Sequence, residues 1–163
     1  MAAEYSSNAT QVVQANQDVL FTEAPVPCNR GFVFHRSGSG VFRLANNAPQ
    51  NTSCSCGCRR IYETLYLVEF HANISIPEDP AGTVEPISLA IAIDGVTDQS
   101  SVMTVTVPLE SDVAGDNVGA SIIVAVPSLC GCESVSVRNI STQAINVMNA
   151  NLLITYEGVR RIR

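Results

Sequence analysis

The chain has 163 residues, of which 46% are hydrophobic and only 15% charged, and it carries a net charge of −6 at neutral pH. This is enough apolar material for one core, so a single domain is expected, and the acidic balance makes nucleic acid and anionic membranes poor partners. Residues 1–10 lack the apolar core of a secretory leader and no run is long enough to span a bilayer, so synthesis and folding in a cytoplasm are expected.

Residues 1–10 are small and polar and read as a flexible arm, with Ala2, Ala3 and Tyr5 suited to lying extended on a partner. Residues 11–22 alternate loosely around Val13, Ala15, Val19 and Phe21 and read as the first strand, ended by the Pro25 and Pro27 segment. Residues 31–35 and 41–45 are short strands around the turn at 37–40. Residues 46–57 form a polar loop holding Cys54 and Cys56, with Cys58 just beyond.

Residues 61–76 carry the strongest signal. Tyr62, Thr64, Tyr66, Val68, Phe70, Ala72, Ile74 and Ile76 alternate with Ile61, Glu63, Leu65, Leu67, Glu69, His71, Asn73 and Ser75. Period two with aromatic and β-branched enrichment predicts a long strand whose even face is core. Its odd face carries Leu65 and Leu67 among Glu63, Glu69 and His71, a mixture expected where something packs on both sides of a sheet.

A loop at 77–82 follows. Residues 85–94 form the clearest alternating strand, with Ile87, Leu89, Ile91 and Ile93 on one face and an Asp94-Gly95 turn at its end. Residues 101–107 read as a strand and 110–117 as an acidic loop. Residues 118–126 place Val118, Ala120, Ile122, Val124 and Val126 inward, opposite Gly119, Ser121, Ile123 and Ala125, which are mostly small enough to admit another backbone. Strands at 134–140 and 144–157 complete the domain, leaving 158–163 as a basic tail. No segment has a helical moment and no internal repeat occurs. Nine or ten short strands separated by Gly, Pro and Asn turns predict an all-β sandwich or closed barrel.

Four stretches are similar to a known family: Gly31 to Arg36, Tyr66 to Ile74, Pro86 to Gly95 and Ser141 to Val147. Their order and content resemble the trimeric jelly roll of the complement globular head and tumour necrosis factor superfamily, above all its short bacterial and bacteriophage members. The resemblance spans roughly residues 11–157. It implies a ten-strand, two-sheet jelly-roll sandwich that forms a homotrimer through the sheet holding the first, central, sixth-lettered and last strands. The chain lacks the collagen-like stalk and membrane anchor of many relatives, which favours a standalone module on a particle.

On this basis Leu65, Leu67, Glu69, His71, Ile123 and Ala125 are the candidate trimer-interface residues; His71 reads first as a hydrogen-bonded interface histidine, with a place beside Glu69 near a three-fold axis as the alternative. The C-x-C clusters Cys54, Cys56, Cys58 and Cys130, Cys132 leave a zinc thiolate site, disulfides and unmodified thiols all open. His35 and His71 have no nucleophile motif beside them, so no enzymatic activity is expected. Glu78, Asp79, Asp94, Asp98, Asp112 and Asp116 show no D-x-D-x-D calcium loop, and no phosphate-binding glycine loop opens a helix. No cofactor is therefore expected. Trp is absent and aromatics are 6%, which gives little support for an aromatic sugar platform. Sequons at Asn8, Asn51, Asn73 and Asn139 read as chance.

The reading is a trimeric structural protein on the virion surface of a tailed bacteriophage, a capsid decoration or head-fibre protein. Its expected partners are its own copies and a major capsid protein or other virion protein. The alternative is a receptor-binding tip that recognises a host-surface glycan. Both are compatible with one fold.

Overall fold

The computed structural model describes residues 1–28, 31–47, 62–77, 85–106, 115–128 and 131–162. Twelve strands occur among them: β1 (Ala2–Ser7), β2 (Gln11–Val13), β3 (Glu23–Val26), β4 (Val33–His35), β5 (Val41–Ala45), β6 (Tyr62–Ser75), β7 (Ile87–Ile93), β8 (Val96–Thr97), β9 (Met103–Val105), β10 (Asp116–Pro127), β11 (Cys132–Asn139) and β12 (Ile145–Arg161). A 3-10 turn, Gln99–Ser101, separates β8 from β9.

The strands form two antiparallel sheets. One has the order β10-β6-β12-β1-β3, with β2 also on β12; the other has β4-β5-β11-β7-β8, with β9 also on β7. β1 and β2 follow one another along the same edge of β12, and β8 and β9 along the same edge of β7. Counting each interrupted pair as one strand leaves five per sheet, the ten expected.

The core lies between the sheets. In β6, Thr64, Tyr66, Val68, Phe70, Ala72 and Ile74 are all buried, as period two requires. All but Thr64 join Phe21, Phe42, Leu44, Ile87, Leu89 and Ile91 in one continuous apolar cluster. Tyr66 reaches through this layer to donate its hydroxyl to Ala45 O at 2.5 Å. Burial, assisted by the neighbouring Tyr156, holds this phenol well above its ordinary pKa. Asn139, fully buried, donates to Val13 O (3.0 Å) and Gln143 O (2.8 Å) and accepts from Ser141 N (2.9 Å), tying β2 to the approach to β12. The sequon at Asn139 is thus closed to a glycan in the folded chain.

Several sequence expectations are corrected. Residues 1–10 are not a flexible arm. β1 pairs with β12 on one side and with β3 on the other, and Ala3 and Tyr5 are buried. Of the three proposed docking residues only Ala2 is exposed. The strand expected at 11–22 ends at Val13: Asn16 takes a positive φ of 62°, and only isolated bridges at Asp18 and Phe21 follow. The Pro-containing break instead forms β3, where Pro25 is tolerated because the strand is an edge. The basic tail is also partly strand, since β12 continues to Arg161 and Arg160 Nε donates to Glu63 Oε1 at 2.6 Å. Two register shifts, between Met148 and Asn151 and between Tyr156 and Gly158, break its pairing with β6.

Candidate functional site: the outer face of the β6 sheet

The side chains of β6 that point away from the core meet those of β10 in a fixed register. Leu65 lies opposite Ala125, Leu67 opposite Ile123, Glu69 opposite Ser121 and His71 opposite Gly119. On the other side of β6, Thr155 stands opposite Leu67, Leu153 opposite Glu69 and Asn151 opposite His71. Ala2 and Glu4 extend two of these rows onto β1. The six candidate interface residues therefore share one face of one sheet.

The centre of this face is apolar. Leu65, Leu67, Ala125 and Leu153 are half-buried by their neighbours, and Ile123 is 56% exposed. Polar groups border this patch: Glu69 and His71 follow Leu67 along β6, Glu4 Oε1 accepts from Asn151 Nδ2 at 2.6 Å, and Asn117 Nδ2 donates to Asn73 Oδ1 at 3.1 Å. Gly119 makes the His71 row feasible. A Cβ there would sit 2.4 Å from His71 Nδ1 and 3.2 Å from Phe70 O, so the imidazole lies over bare backbone. Leu153, Thr155 and Ala2 also belong to this face. The bulges in β12 hide its inside-outside alternation, and β1 has too few apolar residues to announce a strand; no local signal marks them.

The chemistry proposed for the cysteines falls largely outside the described residues, where Cys54, Cys56, Cys58 and Cys130 all lie. Cys132 opens β11 and is exposed, and Cys28 is half-buried with its Sγ 3.4 Å from Val33 N. Glu78, Asp79 and Asp112 are likewise outside. Asp98 caps the 3-10 turn through Ser100 N (2.8 Å), and Asp94 Oδ1 accepts from Ser134 N (2.7 Å) and Ser134 Oγ (2.9 Å). Among the described residues no three metal-ligating side chains converge.

Asp94 and Gly95, with φ of 48° and 77°, make the two-residue turn joining β7 to β8. The Asp94 carboxylate also meets the Glu133 carboxyl. That contact raises the Glu133 pKa to about 7, assisted by desolvation, while Asp94 is held below its usual range. The two carboxyls are thereby coupled.

No protein-family model and no curated protein matches this sequence. Among solved structures, the globular domain of the zebrafish complement 1qA protein superposes with a TM-score of 0.56 at 12% identity, covering 96% of both chains. The chain thus has the jelly-roll fold of the complement globular head and tumour necrosis factor-like domains, as the sequence resemblance implied.

Proposed function

We propose that this chain is a homotrimeric structural protein of a bacteriophage virion surface, a capsid decoration or head-fibre protein, and not an enzyme. Its copies associate through the outer face of the β10-β6-β12-β1 sheet. The observation that carries the reading is the apolar centre of that face, where Leu65, Leu67, Ile123, Ala125 and Leu153 gather on three adjoining strands of an acidic protein. Three copies would remove Ile123 from water and bring Glu69 and His71, whose side chains have no hydrogen-bond or ionic partner among the described residues, against groups of a neighbour. The trimeric state and the virion setting draw support from the four sequence stretches that resemble the phage-type members.

With Tyr5 and Ala3 buried inside the sheet, the N-terminal segment cannot also serve as the capsid anchor. The base of the trimer or the exposed end of β12 at Arg161 takes that role. Electron microscopy of purified particles carrying a label on this chain tests the virion setting. A decoration protein gives many labels over the head; a few labels at the tail would select the receptor-tip alternative, and no label on any particle would refute a virion role.

A further inference from the structure

The sheet on the opposite side of the sandwich carries a second feature. Phe34 of β4 and Arg43 of β5 are cross-strand partners that both point outward, while Val33, Phe42 and Leu44 beside them are buried. Arg36 follows β4 in a turn closed by Ser39 N donating to Arg36 O (2.9 Å) and fastened to the core by Gly38 N donating to Phe21 O (2.8 Å). Phe34, His35, Arg36, Ser39, Val41 and Arg43 line an open pocket of about 360 Å³.

The pocket contains no carboxylate. Elsewhere among the described residues Arg138 is paired with Asp18 and Arg160 with Glu63, but the guanidiniums of Arg36 and Arg43 have neither an acidic partner nor a hydrogen bond among the described residues. Two unneutralised guanidiniums on one pocket are notable in a chain of net charge −6. Beside them are exposed apolar groups: Phe34 is 56% exposed and Val41 42%. The His35 and Ser39 side of the pocket is held in place by the fold. His35 stacks on Phe42 at 4.3 Å and 13°, its Nε2–H donates to Ser39 O at 3.0 Å, and Val41 N donates to Ser39 Oγ at 3.0 Å.

We infer that this pocket binds a carboxylated sugar unit of a glycan. The guanidiniums take the carboxylate in charge-assisted hydrogen bonds, the C–H face of the ring covers Phe34 and Val41, and the Ser39 hydroxyl is left to meet a sugar hydroxyl. A bare inorganic anion would satisfy the arginines and leave the apolar wall wet. An acidic peptide carries its carboxylates on flexible stems with no flat apolar face to match Phe34. The volume lies near the lower end of the range for small-ligand sites, which suits one or two sugar rings. The site is on the sheet opposite Leu67 and Ile123, so it stands or falls independently of the proposed association face.

The test is calorimetric titration of the full chain with tri-galacturonate and with 3′-sialyllactose, against lactose, maltotriose and hexaglutamate. Binding of at least one acidic sugar at millimolar concentration or below, with the neutral sugars inert, is the expected result; the two acidic arms identify whether a uronate or a sialate is preferred. Arg43→Gln, Arg36→Gln and Phe34→Ala should each weaken binding by about tenfold or more. Arg160→Gln, which removes an equal charge from the other sheet, should leave it unchanged. Silence with both acidic sugars, equal binding of a neutral sugar or of hexaglutamate, or equal weakening by Arg160→Gln would each overturn the inference. If Phe34→Ala misfolds, ligand-induced shifts of the Phe34 ring protons in the unmodified chain decide the same point, and their absence counts against the pocket.

Discussion

Tyr5→Ala separates a built-in first strand from a dispensable arm. Tyr5 is 4% exposed, and its ring centroid lies 4.8 Å from that of Phe42 and 5.0 Å from that of His35. Burying an aromatic side chain removes roughly 150–250 Å² from water, or about 4–6 kcal/mol at about 25 cal/mol per Å². Measured truncations of buried aromatics to Ala cost about 3–5 kcal/mol, and that is the expected loss here. It is a large share of the roughly 5–15 kcal/mol by which a domain is stable. With a urea slope of about 2 kcal/mol per M, the unfolding midpoint should fall by about 2 M. The assay is urea unfolding followed by far-UV circular dichroism at several protein concentrations, with the exposed Ala2→Ser as control. Association raises apparent stability by mass action, so the comparison must be made at matched concentration. A Tyr5→Ala midpoint indistinguishable from that of Ala2→Ser would refute the placement of β1.

Further outcomes follow from the same geometry. Asn139→Ala strips partners from Val13 O, Gln143 O and Ser141 N in a buried site, and should cost about 2–4 kcal/mol by the same unfolding assay; a loss below about 0.5 kcal/mol would show that water replaces the amide. The Glu133 pKa, raised to about 7 in the folded chain, makes the pair's contribution largest below the ordinary carboxylate range and lost as pH rises towards 7. Because Glu133 lies at the surface, solvent screening keeps the effect modest. Glu133→Gln should therefore flatten the decline in Tm between about pH 4.5 and 7, and carbon-detected NMR titration of the Glu133 carboxyl should find a midpoint well above the usual glutamate value.

The central strand was legible because sixteen residues keep an unbroken period of two, and the non-core face of β6 then pointed to Leu65 and Leu67. The face of β10 was legible for the same reason, and register alone brought Ile123 opposite Leu67. The Asp94-Gly95 turn was legible because few other dipeptides accept two positive φ angles in succession. β1 was not legible. Residues 2–7 offer only Ala3 and Tyr5 as apolar inward groups, and the strand exists because β12 and β3, distant in sequence, supply partners for both its edges. The last strand was legible at 144–157, across its first bulge; its continuation to Arg161 was hidden because the second shift, between Tyr156 and Gly158, resets the inside-outside alternation. The Phe34, Arg36 and Arg43 pocket depends on the β4–β5 register and on how the 36–39 turn folds back, and neither is written in composition.

The mass of the purified chain in solution and its response to Leu67→Glu test association through the outer face of the β6 sheet most directly. Leu67 sits on the outer face between Ile123 and Thr155, half-buried in the single chain, so a carboxylate there should be tolerated by the monomer. At an interface it would be an unpaired charge removed from water, at a cost of several kcal/mol per copy. Sedimentation velocity at micromolar concentration should give a species of three times the 17.3 kDa chain mass for the unmodified protein and a folded 17.3 kDa monomer for Leu67→Glu. A monomeric unmodified protein, or a trimer that Leu67→Glu leaves intact, would contradict association through this face.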